Sequence, residues 1–138
     1  MIRLATLKDV EAILDIELTC FPDPETYKLN RNTIRYHVKK GDRLWVDYDR
    51  NTTCGYILLS HTSSRGQRRV YSVATHPNHQ GYGIGKRLMK FAEKKTPRKL
   101  TLEVDCKNPG AIRLYEKLGY TVFGKYPNYY GRGHHAIR

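Results

Sequence analysis

One stretch limits what this chain can fold into: His76-Pro77-Asn78-His79-Gln80-Gly81-Tyr82-Gly83-Ile84-Gly85-Lys86. Before it, Val70-Tyr71-Ser72-Val73-Ala74-Thr75 has the composition of a strand, and after it a helical pattern runs from Lys86 to about Lys95. Glycines at 81, 83 and 85 leave the connection with little side-chain bulk. Glycine tolerates positive φ and lets another molecule approach the backbone closely. The amides that open the helix then point outward at the positive end of its dipole. Such a loop suits an anion, phosphate above all.

Two phosphate motifs are excluded by spacing. A dinucleotide fingerprint needs G-x-G-x-x-G, and a P-loop needs G-x-x-x-x-G-K followed by Ser or Thr. Here the glycines run G-x-G-x-G, followed by Lys86-Arg87. The net charge of +12 over 138 residues suits a nucleic-acid surface, a phosphate-rich cofactor or an acidic substrate. Basic residues cluster at Lys39-Lys40, Arg65–Arg69 and Lys94–Lys99, with no recognised nucleic-acid motif beside them. Cys20, Cys54 and Cys106 stand far apart and form no C-x-x-C pair, so reduced thiols are expected. His76, His79, His134 and His135 lack a carboxylate or cysteine at ligand spacing, and no metal is expected.

The length predicts one domain over residues 1–138. No apolar run approaches the roughly eighteen residues of a membrane span. The start, Met1-Ile2-Arg3-Leu4-Ala5-Thr6, lacks the apolar core of a signal peptide. A cytoplasmic protein is expected.

Periodicity predicts the rest. Ile2 and Leu4 alternate as a first strand, and Thr6 with Asp9 resembles a capping box. Val10, Ile13, Leu14 and Leu18 then follow helical spacing until Phe21-Pro22-Asp23-Pro24. A second helix is predicted from about Asn32 to Lys40, with Ile34 and Val38 inward and Gly41 closing it. Strands over Leu44–Tyr48 and Cys54–Ser60 flank a turn, and His61–Arg69 has the polar composition of an exposed loop. After the glycine loop, Ile84, Leu88 and Ala92 share a helix face that ends by Pro97. Lys99–Asp105 alternates as a fifth strand, with Leu100, Leu102 and Val104 opposite Thr101, Glu103 and Asp105. Asn108-Pro109 starts a helix with Ala111, Leu114, Tyr115 and Leu118 on one stripe and Gly119 at its end. Strands near Tyr120–Lys125 and His134–Arg138 finish the chain. The order β-α-α-β-β-β-α-β-α-β-β implies an α/β (α+β) fold, a mixed, mostly antiparallel sheet of about seven strands with about four helices on both faces.

Gln80-x-x-Gly83-x-Gly85 after Thr75-His76-Pro77 resembles the Q/R-x-x-G-x-G/A signature of the GNAT acyltransferase superfamily, whose loop holds the pyrophosphate of acetyl-CoA. Residues 102–120, Leu-Glu-Val-Asp-Cys-Lys-Asn-Pro-Gly-Ala-Ile-Arg-Leu-Tyr-Glu-Lys-Leu-Gly-Tyr, resemble the L-E-V-x-x-x-N-x-x-A-x-x-L-Y-x-x-L-G-F stretch of GNAT protein N-terminal acetyltransferases. The nearest likeness is to enzymes that acetylate ribosomal proteins at an N-terminal alanine and to archaeal N-terminal acetyltransferases. Phe21-Pro22 and Asn128-Tyr129-Tyr130 resemble further elements of that group. One departure concerns the acceptor: an acidic G-E-D-A in those enzymes is Gly133-His134-His135-Ala136 here.

The resemblance implies the following roles. The backbone of Val73, Ala74 and Thr75 pairs with the pantetheine arm. Gln80, Gly81, Tyr82, Gly83, Ile84, Gly85 and Lys86 hold the pyrophosphate, and Asn108 bonds the pantetheine amide or else caps its helix. Glu103 is the candidate general base, acting through water, with Glu25 in reserve. Tyr115 is the candidate acid for the sulfur, since a phenol of pKa near 10 is protonated at neutral pH. Phe21, Tyr27, Tyr129 and Tyr130 line a peptide groove. The implied activity is acetyl transfer from acetyl-CoA to a protein N-terminal amine, with a ribosomal protein as a possible acceptor. The alternatives are a polyamine or amino-sugar acetyltransferase and a non-catalytic module that binds ribosomes or RNA through its charge.

Overall fold

The computed structural model describes residues 1–22, 29–105, 109–120, 125–127 and 135–137. In chain order the elements are β1 (Ile2–Leu4), α1 (Val10–Cys20), α2 (Arg31–Lys40), β2 (Leu44–Asp49), β3 (Thr52–Leu59), β4 (Gln67–Thr75), α3 (Ile84–Lys94), β5 (Lys99–Leu102), β6 (Val104–Asp105), α4 (Pro109–Lys117), β7 (Lys125–Pro127) and β8 (His135–Ile137). Strands present alternate residues to opposite faces, and here both faces are apolar. Leu44, Val46, Tyr56, Leu58 and Ala74 pack with Val10, Ile13, Ile16 and Ile34 of α1 and α2. Trp45, Ile57, Leu59 and Val70 pack on the other face with Ile84, Leu88, Met89 and Ala92 of α3.

The mixed sheet is in two parts. β1 to β5 lie side by side in chain order, antiparallel except for the parallel pair β4–β5. β6, β8 and β7 form a second, antiparallel sheet. The single fifth strand expected over Lys99–Asp105 is therefore broken at Glu103. Up to Leu102 the chain pairs with β4, and from Val104 it pairs with β8.

Local chemistry fixes the other ends. Asp9 closes a 3₁₀ turn ahead of α1, its carboxylate accepting from the Thr6 amide at 2.8 Å and from Arg3 at 2.7 and 2.9 Å. Asn30 caps α2 by accepting from the Thr33 amide, and Gly41 ends that helix with φ of 74°. Arg50 and Asn51 join β2 to β3 with φ of 49° and 65°, the paired positive φ that a tight hairpin of matching twist requires.

Two further expectations are corrected. Leu18 is 49% exposed, whereas Ile16 and Glu17 are buried. α1 turns Glu17 inward because the Tyr56 hydroxyl donates to its carboxylate at 2.6 Å, with Ser72 in the same network. Burial, reinforced by the charge of Glu17, pushes the Tyr56 phenol well above its ordinary pKa. The second correction is that β4 starts at Gln67, inside the expected exposed loop. Arg68 is only 3% exposed. It donates to the carbonyls of Asp42 at 2.6 Å, Ser60 at 2.8 Å and Lys95 at 3.4 Å, and its guanidinium lies over Trp45. Those carbonyls end three different connections, so one cation ties them together.

Replacing Arg68 strands buried acceptors. Arg68→Met is expected to lower unfolding free energy by about 3 kcal/mol, read from urea denaturation. Arg65→Met, at an exposed neighbour, is expected to stay within about 0.5 kcal/mol.

Candidate active site

β4 and β5 pair only from Gln67–Lys99 to Val70–Leu102. Past that point β4 continues along β3, while β6 leaves for the second sheet. Among the described residues no strand pairs with this edge of β4 from Tyr71 to Thr75, so alternate backbone groups, those of Val73 and Thr75, face the parting of the two sheets. This edge contains Val73, Ala74 and Thr75. A bulge sits at its start: Leu58 pairs with Ser72 and Leu59 with Val70, which leaves Tyr71 as an extra residue. Bulges re-aim side chains beside sites. Here Ser72 joins Glu17 and Tyr56 on the α1 side, and Tyr71 also turns that way, its ring 6.4 Å from His37 of α2.

At the end of β4 the Thr75 carbonyl accepts from Gln80 Nε2 and from Cys20 Sγ, both at 3.2 Å. Gln80 thus fastens the glycine loop to the strand. Gly81 has φ of 90°, and Gly83, the residue before α3, has φ of 77°. A side chain at either would be strained in this left-handed region. Gly85 is different. Its φ is ordinary, and a Cβ there would sit 3.8 Å from Leu114 and Thr75, ordinary contact distance. The chain does not itself demand glycine at 85, but a group lying against the start of α3 would. Ile84 is buried, Gly81, Gly83 and Lys86 are exposed, and Tyr82 is 77% exposed. Arg87 anchors α3 by an ion pair of 2.7 Å to buried Asp47.

Glu103 stands at the break between β5 and β6. Its side chain is 4% exposed, and Oε2 accepts from Arg69 Nη2 at 2.7 Å. The Arg69 guanidinium also lies over the Tyr71 ring, 5.6 Å from its centre. Glu103, Arg69, Tyr71 and His37 thus form a chain of contacts on the α1–α2 face. Burial, with the nearby charge of Arg43, lowers the pKa of His37 and keeps it neutral.

Tyr115 lies on the opposite face. It packs with Val73, Ile84 and Leu102 in the cluster under α3, edge-on to Tyr120. Burial pushes its phenol up to about 12. Val73 faces this cluster, while Ala74 faces the α1–α2 cluster, where Phe21 is also packed. The two candidate catalytic side chains therefore belong to opposite faces of the sheet, on either side of the opening. Glu25, Tyr27, Asn108, Tyr129 and Tyr130 fall outside the described residues, as does Cys106. Cys20 and Cys54 are free thiols whose pKa burial raises. Among the described residues no group of three or more His, Cys, Asp or Glu could hold a metal.

Sequence reasoning missed Arg69, Tyr71 and His37. The signal for Arg69 is its alternation with Tyr71 on one strand face, hidden by the polar composition of the residues before it.

The fold and this opening define a class. The acetyltransferase (GNAT) family model matches residues 10–120, and the chain belongs to that family of acetyltransferases. A Bacillus subtilis protein, provisionally assigned as a [ribosomal protein bS18]-alanine N-acetyltransferase, is 27% identical over 94% of this chain and 85% of its own. The crystal structure of Ard1 from Thermoplasma volcanium is similar with a TM-score of 0.86 and 25% identity, covering 99% of this chain and 93% of that one. A provisionally assigned acetyltransferase from Salmonella typhimurium, whose structure holds its cofactor acetyl-CoA, shares the fold with a TM-score of 0.80 and 23% identity, covering 99% and 90%. Among the described residues no helix is long and apolar enough to cross a membrane.

The raised Tyr115 phenol has a direct optical test. The neutral form persists below its folded pKa of about 12. Wild type and Tyr115→Phe are therefore expected to give the same phenolate absorbance up to about pH 10.5, with the extra ionisation of wild type appearing only above it.

Proposed function

We propose that this acetyltransferase moves an acetyl group from acetyl-CoA to the α-amine of a protein N-terminus, a ribosomal protein being one candidate acceptor. The observation that carries the reading is the unpaired β4 edge from Tyr71 to Thr75, bounded by the glycine loop at its end and by Glu103 and Tyr115 on opposite faces. The donor chemistry is supported by fit. The amides at the start of α3, the room at Gly85 and the exposed Lys86 suit a pyrophosphate. The outward amides of Val73 and Thr75, whose neighbour Ala74 is paired with Tyr56 of β3, suit an extended arm with its own amide groups. The cofactor of the Salmonella structure supports the same donor.

When bound, acetyl-CoA would supply a thioester as the activated acyl group. What this chain contributes is orientation and proton handling. Edge amides of β4 offer hydrogen bonds to the carbonyl oxygen as charge develops there. Glu103 is paired to a guanidinium, so it acts as a fixed acceptor for the amine proton, directly or through one water. Tyr115 holds its proton firmly and gives it only to the departing sulfur. This arrangement favours an acceptor that sheds a proton readily. A peptide α-amine has a pKa near 8, against about 10.4 for a lysine-type amine, which supports the protein N-terminus over a polyamine. The Bacillus relative's assignment and the Ard1 likeness point to the same acceptor class.

Mass spectrometry of products tests the reading. Purified protein with acetyl-CoA should acetylate peptides beginning with small residues or Met at the α-amine, with spermidine and glucosamine at least tenfold slower. The reverse preference would exclude the proposed acceptor. Glu103→Gln and Tyr115→Phe should each lower kcat by about 10²–10⁴-fold. Arg69→Gln should lower kcat by about tenfold with little change in the acetyl-CoA dissociation constant, since it positions Glu103 and lies away from the glycine loop.

A further inference from the structure

The strongest feature outside the active site is the distribution of charge. The connections 39–43, 60–67 and 94–99 hold eight lysines and arginines against one acidic residue, Asp42. That is more than half of the chain's net charge of +12 in a small part of its length. The fold brings all three to one end. The Leu59 amide donates to Arg43, the Ser60 amide to Arg69 and the Arg98 amide to Gly66. Buried Arg68 reaches the carbonyls of Asp42, Ser60 and Lys95. Lys39, Lys40, Arg65, Lys94, Lys95 and Arg98 are all exposed there. Asp42, the acidic member, already lies 3.8 Å from Arg68.

This pole is opposite the glycine loop. β4 is nine residues long and runs from it to Thr75, about 27–30 Å at ~3.3 Å per residue. A cofactor held at the start of α3 therefore does not account for the charges of the 39–43 and 60–67 connections, although Lys94, at the far end of α3, lines one groove with Gly83 and Lys86.

We propose that this basic pole docks on the phosphate backbone of RNA, independently of the acetyl-transfer chemistry. Three observations favour RNA. The cations are a mixture of lysine and arginine, interleaved with short hydrogen-bonding side chains in the His61-Thr62-Ser63-Ser64-Arg65 run, the composition that contacts phosphate and sugar. The one exposed aromatic among the described residues in contact with these cations is Tyr36, with Lys40 Nζ 5.5 Å from its ring centre, a stacking face that tolerates any base. The exposed large apolar residues among those described, such as Leu7, Leu18 and Tyr82, all lie outside the three connections, so the pole lacks the apolar insert of a membrane-surface binder. Buried Arg68 gives the surface its rigidity, since the three segments are fixed before any partner arrives.

Fluorescence anisotropy with a labelled RNA hairpin, across a salt series, tests this. Wild type should bind with a clearly negative slope of log affinity against log salt. Removing four charges by Lys39→Ala, Lys40→Ala, Arg65→Ala and Arg98→Ala should weaken binding at least tenfold and reduce the slope magnitude by about two or more. The control with the same charge loss elsewhere is Lys8→Ala, Arg50→Asn, Arg113→Ala and Lys117→Ala, expected to stay within about threefold of wild type. A charge-preserving variant, Lys39→Arg, Lys40→Arg, Arg65→Lys and Arg98→Lys, should bind as wild type and guards against misfolding of the first. Equal loss in pole and control variants, absence of RNA binding by wild type, or binding to phosphatidylserine vesicles in place of RNA would each overturn the proposal. Acetylation of a free peptide measured alongside separates the two readings: the pole variant should retain it. Loss of RNA binding by the pole variant with no acetylation by any variant, wild type included, would support the pole and count against the catalytic reading alone.

Discussion

Everything at the candidate site depends on a short parallel pairing. β5 holds β4 for only four residues, and then the chain changes partner. Had the pairing continued, the amides of Val73 and Thr75 would be spent inside a continuous sheet, and nothing could lie along them. Because it stops, an edge that sheets normally cover is left without a strand partner among the described residues. The bulge at Tyr71 and the break at Glu103 both fall at this parting, so the same change of partner that opens the edge also aims side chains at it.

Each face of the opening is given different chemistry by the elements packed on it. On the α1–α2 side, Glu103 sits against a permanent cation, which lies over Tyr71 and through that ring leads to the neutral His37. On the α3–α4 side, Tyr115 is embedded in apolar side chains that hold its proton in place. The proposed proton acceptor and proton donor are thus kept apart by the strand itself. That arrangement suits a reaction in which an amine loses a proton on one side and a sulfur gains one on the other.

Much of this was legible in the sequence. The glycine loop, the helix after it and the stripe ending at Gly119 follow from local rules, since positive φ, capping and the 3.6 period are written in single residues. The four helices and the class of the sheet follow for the same reason. What was not legible came from distant partners. Gln67–Arg69 has the polar composition of a loop but lies in β4, because the guanidinium of Arg68 is satisfied by carbonyls from three connections that only the fold assembles. Glu17 replaces Leu18 on the inner side of α1 because Tyr56 meets it. The break at Glu103 is invisible in an unbroken alternation from Lys99 to Asp105, since it reflects the choice of neighbour and not local propensity.

The central claim is that the open edge of β4 is where the acyl donor lies. Hydrogen–deuterium exchange with and without acetyl-CoA tests it most directly. Amides of Val73, Thr75 and residues 81–86 should be slowed by the ligand, while those of β2 and the 39–43 connection stay unchanged. Ligand binding that slows exchange elsewhere and leaves Val73 and Thr75 as open as before would contradict the account.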